Sequence, residues 1–103
     1  DPESVDSWVE KARASYYMAM ISKGAAQAER LSDGLSAIVQ GLKINPNVGP
    51  LWAMRAVIRN AQARVEKNGE QAAHWRSESQ ESWQEAVAVK PLLEDDYGGL
   101  LGE

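Results

Sequence analysis

The sequence predicts an all-α protein built of stacked antiparallel helical hairpins, and three observations carry that prediction. Pro2, Pro46 and Pro91 are each followed at the same distance by a large ring, Trp8, Trp52 and Tyr97, which sets a repeat of about 45 residues. Size agrees between units: Gly24 matches Gly69, Ala28 Ala73, Gly34 Ser79, Ile38 Trp83, Gly41 Ala86 and Leu42 Val87. Between these marks the apolar residues recur at three- and four-residue steps, the spacing of a helix face, and no segment alternates as a strand does. The chain is read as a single domain with a first hairpin over 1–45, a second over 46–90 and a short capping helix over 91–103.

Each element has its own local warrant. Asp1-Pro2-Glu3 offers a cap, a first-turn proline and a first-turn acid, so the first helix is placed from there to about Ser22, with Lys23-Gly24 closing it. The second helix, about Ala25 to Ile44, carries Ala28, Leu31, Leu35, Ile38 and Leu42 as one apolar stripe. Asn45-Pro46-Asn47 breaks it, because proline disfavours helical geometry in the residue before it and donates no backbone hydrogen bond. A third helix follows, about Val48 to Lys67, then a turn at Asn68-Gly69 and a fourth helix, about Glu70 to Lys90. Pro91 stops that one and begins the last, with Leu92, Leu93, Tyr97, Leu100 and Leu101 as its apolar residues and Gly98-Gly99 weakening it.

The third helix is the informative one. Leu51, Met54, Ile58, Ala61 and Val65 form one stripe, and Trp52, Ala56 and Ala63 lie well around the helix at about 100° per residue. Such a helix needs neighbours on both sides, as the middle helix of a stack does. The small residues Gly34, Gly41, Ala56 and Ala86 are expected to let the helices approach closely.

These residues resemble the tetratricopeptide repeats (TPR). The stretch Asn45 to Trp52, with small Gly34 and Gly41 and bulky Ile38 before the proline and Ala56 after the tryptophan, looks like the closing and reopening of such repeats, and Trp83, Ala86, Pro91 and Tyr97 repeat the pattern. The units here are longer than the family's 34 residues, which implies lengthened hairpins. Arg55 and Arg59 stand where the family usually has packing residues. The resemblance implies a short right-handed superhelix that binds a peptide or protein segment in a groove lined by the first helix of each hairpin. The groove positions carried over are Val9, Arg13, Tyr16 and Tyr17 in the first unit and Ala53, Val57, Asn60 and Ala61 in the second, with Arg64 continuing the stripe. Arg13, Tyr17, Asn60 and Arg64 are candidates to hold an extended peptide through hydrogen bonds and ring contact, the alternative being that the tyrosines pack on a hairpin and the arginines are solvated. With Val9, Ala53 and Val57 in the lining, the clamp of lysines and asparagines that grips a chaperone's terminal carboxylate is not reproduced.

Composition narrows the function classes. With 103 residues, 44% hydrophobic and 25% charged, the chain has an ordinary globular make-up, and no run is long and apolar enough to span a bilayer. The absence of cysteine rules out disulfides, thiolate metal sites and cysteine nucleophiles, and a net charge of −4 disfavours nucleic acid. No catalytic, cofactor or metal site is assembled. His74 is alone, and the carboxylates Glu29, Asp33, Glu78, Glu81, Glu85 and Glu94 to Asp96 read as a solubilising surface or as first-turn acids. Arg55, Arg59 and Arg64 read as a solvated face or as partners for acids of the fourth helix such as Glu78 or Glu85, in preference to a docking strip. Trp8, Trp52 and Trp83 are assigned to packing. Trp75, which has no repeat counterpart, is either an aromatic anchor at an interface or packed under the lengthened hairpin.

The leading expectation is therefore a protein-binding module within a larger polypeptide, with no enzyme activity. The alternative is a structural domain that associates with a copy of itself or with the rest of its parent protein. The compartment stays open, the cytoplasm being the nearer reading.

Overall fold

The computed structural model describes residues 4–89, which form four α-helices and, among the described residues, no strand. They are α1 (Val5–Met20), α2 (Gly24–Ile44), α3 (Gly49–Val65) and α4 (Gly69–Val89). The expected start at Pro2 and the capping helix over 91–103, with Pro91 and Tyr97, lie outside the described residues.

The helix ends agree with expectation within a few residues, but two of them are made differently. Ser4 caps α1, its Oγ accepting the Ser7 N–H at 3.2 Å. At the tip of the first hairpin Ile21 ends α1, the Ser22 N–H bonds back to the Ala19 carbonyl, and the Gln27 amide donates to that same carbonyl at 3.1 Å. Gly24 has φ +62, the left-handed conformation that glycine reaches without penalty, and it opens α2. The tip of the second hairpin looks the same in sequence and is not the same in conformation. Gly69 has an ordinary φ, and Asn68 supplies the turn by capping α4, its Oδ1 accepting the Gln71 N–H at 3.0 Å. Between the hairpins the Asn47 N–H bonds to Asn45 Oδ1 at 2.9 Å, and Trp52 Nε1 donates to the Pro46 carbonyl at 2.8 Å, so the ring that follows the proline is tied to the turn it makes.

Consecutive helices pack as α1 on α2 and α3 on α4, and α3 also packs on both α1 and α2. Among the described residues α4 touches α3 alone, so α3 is the shared middle helix. Its Leu51, Met54, Ala56, Ile58 and Ala61 are all buried, as its two apolar faces require. Close approach is built in on α2. A Cβ on Gly34 would stand 2.7 Å from Ile58 Cδ1, and one on Gly41 would stand 2.7 Å from Leu51 Cδ1 and 3.1 Å from Trp8 Cβ. On the other side of α3, the Ser79 hydroxyl, at the position equivalent to Gly34, donates to the Ala56 carbonyl at 2.7 Å. Val9, Ala12, Tyr16 and Ala19 of α1 and Leu31, Ala37 and Ile38 of α2 complete the core, with Trp8, Trp52 and Trp83 half-buried against it.

Candidate functional site

On α3, successive residues turn by about 100°, so Ala53, Val57, Asn60 and Arg64 share one face. Val9, Arg13, Tyr16 and Met20 hold the equivalent face of α1. The structure sorts the sequence-predicted positions along this face by depth. Val57 is 1% exposed, so it packs the core and presents no surface to a partner. Tyr16 is 6% exposed, half-buried Arg13 pairs with Glu10 at 3.2 Å, and Asn60 is half-buried. Arg64 is exposed, and its charge acts on Tyr16 across the two helices. Burial nonetheless holds the Tyr16 phenol above its ordinary range, Arg64 drawing it back only in part and Tyr17 adding to the rise.

Two predicted residues fall elsewhere. Tyr17 is 51% exposed and lies one residue, about 100°, around α1 from Tyr16, which sets it at the edge of this face although the two rings are 5.6 Å apart. Trp75 is on α4 and lies apart from the face. Its ring stands under the Arg59 guanidinium at 5.9 Å and lines a cavity between the hairpins. Met20, 43% exposed, belongs to the face and is missing from the expectation. It is the position equivalent to Arg64, one turn beyond Tyr16, so carrying the stripe one turn further on α1 as on α3 would have found it.

The basic middle of α3 is not a solvated strip. Arg55 donates to the Ser82 hydroxyl and, at 3.3 Å, to Glu78 Oε1, and the Arg59 guanidinium stands 3.6 Å from the same oxygen. Arg59 also donates to Gln62 Oε1 at 2.9 Å, and His74 Nε2 is 3.5 Å from Glu78 Oε2. Arg55, Arg59 and Glu78 are all mostly buried, and burial lowers the Arg59 pKa, Glu78 opposing the shift and Arg55 adding to it. Of the two acids expected as partners, Glu78 takes both arginines, while Glu85 lines a shallow polar hollow beside Trp52. The cluster ties α3 to α4, and the Ser82 hydroxyl within it also donates to the Glu78 carbonyl of its own helix at 2.8 Å. Among the described residues no three His, Asp or Glu side chains gather as a metal site, and no helix is long and apolar enough to cross a membrane.

The chain matches no protein-family model, no curated protein and no solved structure.

Proposed function

We propose that the protein is a TPR-like binding module whose α1 and α3 together receive a segment of another protein. The observation that carries this reading is the pairing of the two leading helices. α3 packs directly on α1, and Met20 and Arg64, at equivalent positions, are the exposed ends of two stripes whose inner residues are buried or half-buried. The exposed Met20 thioether and Arg64 guanidinium offer apolar contact and charge-assisted hydrogen bonding on one face. The shared middle helix and the glycines where α2 meets α3 support the repeat reading as well. The module is read as non-catalytic and independent of any cofactor.

Capture of partners from the source cell tests it. Wild type and a Met20→Ala, Arg64→Ala double variant are compared, both positions being exposed enough for the fold to survive the change. The reading expects the variant to lose its main partner, and undiminished capture would reject this face. The alternative, self-association, draws on exposed apolar side chains at one end of the molecule, Ile21 at 80% and Val65 at 54%. Sedimentation over a range of concentrations separates it from partner binding.

A further inference from the structure

On α3, Gln62 and Arg64 point about 160° apart, so the molecule has a second surface facing away from the first. There the backbones of α2 and α4 stay apart, and α3 forms the floor of the gap between them. At the hairpin-tip end the gap deepens into a cavity of about 370 Å³. Its walls are apolar, Leu31 and Ala28 from α2, Val65 from α3 and Trp75 from α4, and polar side chains are few, Gln27, Gln62 and Glu66. A small apolar cavity with a few polar groups is the usual form of a recognition pocket, and this volume is near the lower end of the ~300–1,000 Å³ range.

The polar groups narrow what fits. Gln27 spends its amide N–H on the Ala19 carbonyl, and Gln62 spends its carbonyl on Arg59. Gln27 Oε1 is left as an acceptor and Gln62 Nε2 as a donor, with a second Gln27 N–H and a second Gln62 lone pair beside them, which together complement a peptide group's own N–H and C=O. Glu66 uses one oxygen on the Asn68 N–H and keeps its negative charge at the cavity. We infer that this cavity binds one bulky aliphatic or aromatic side chain, of leucine, methionine or phenylalanine size, carried on an extended segment of a second protein. The segment's backbone pairs with Gln27 and Gln62, and no acid flanks the anchor. That last condition disfavours the chain's own Tyr97, which follows Glu94-Asp95-Asp96 directly.

The test uses the full chain and a displayed random-peptide library. Enriched peptides are synthesised, and their affinity is measured by fluorescence anisotropy for wild type, Val65→Glu, Ala28→Leu and, as a control at the other end of α2, the exposed Lys43→Ala. Val65 and Ala28 are exposed, so both variants keep the fold, which circular dichroism checks. The expected result is a shared bulky apolar residue without neighbouring acids, affinity about tenfold weaker in the two cavity variants, and no change in the control. Four results would each overturn the inference: an empty selection, peptides with no common apolar residue, equal binding by the cavity variants, or a wild-type dimer that Val65→Glu dissociates. So would binding of a synthetic peptide of residues 90–103 at the cavity, which would make the chain its own occupant.

Discussion

The leading helices of the two hairpins, α1 and α3, begin alike and end in different surroundings. Val9 and Ala53, Ala12 and Ala56, and Ala19 and Ala63 are buried in both, because each helix packs on the second helix of its own hairpin. The stripe that α3 turns toward the first hairpin, Leu51, Met54, Ile58 and Ala61, is buried throughout. Its counterpart on α1 is Ser7, Glu10, Ala14 and Tyr17, and none of these is buried. The second helices differ in the same sense. Leu31 and Ile38 of α2 are buried against a second hairpin, while Arg76 and Trp83 of α4 are respectively exposed and half-buried. One hairpin plan thus supports two surface chemistries, and the difference is whether another unit leans on the helix. Leu31 against Arg76, where the repeat disagrees in sequence, is one of the positions where the neighbours differ.

Truncating a core residue of α3 separates the two helices most. Met54→Ala removes a fully buried side chain from the shared face and is expected to cost about 2–5 kcal/mol. Glu10→Ala, its counterpart on the exposed face, should change stability by no more than about 0.5 kcal/mol. Denaturant titration of both gives the contrast, and similar costs would mean that α3 has no second neighbour.

Trp52 sharpens the account of the repeat's ring. It is half-buried, with its indole N–H on the Pro46 carbonyl, so Trp52→Ala should cost about 1–2 kcal/mol, less than a core tryptophan. Trp52→Phe keeps the ring and loses the hydrogen bond, and comparing the two in urea separates packing from the tie to the turn.

The two close-approach glycines are not equivalent either. At Gly34 an added methyl meets the far end of Ile58, which can shift, and the gain in helix propensity of about 1 kcal/mol offsets the crowding, so Gly34→Ala should be near neutral. At Gly41 it meets both Leu51 and the Trp8 Cβ, and Gly41→Ala is expected to lose about 1 kcal/mol net. Thermal unfolding of the pair reads the order, and a reversed order would place the tighter contact at Gly34.

The smallest effect is alkaline. Burial raises the Tyr16 pKa above its unfolded value of 10.0, so the folded state holds the proton more tightly. The associated stability is complete below that value and is lost as pH rises through the folded pKa. Tyr16→Phe should therefore flatten the fall in stability above about pH 10, the unfolded phenol's range. An unchanged profile would mean the phenol is solvated.

Much of the fold was legible because its causes are local. Helix stripes, the proline break and the two-faced third helix are properties of nearby residues, and they placed all four helices. The tips were only half legible: Lys23-Gly24 and Asn68-Gly69 look alike in sequence, but the second turn uses the asparagine cap and leaves its glycine ordinary. The depth of the candidate face was not legible. Val57 and Tyr16 lie at groove positions, yet their burial depends on how closely α1 and α3 approach, which spacing along one helix does not reveal. The cavity at Trp75 joins residues from three helices, so only the tryptophan itself, the one without a repeat counterpart, signalled it.

Native-state hydrogen exchange reads, amide by amide, whether α3 is the helix both hairpins share. The amides of Met54 to Ala61 are expected to exchange only through global unfolding and to be the slowest in the chain, with those of α1 opening sooner. Protection in α3 no greater than in α1 would contradict it.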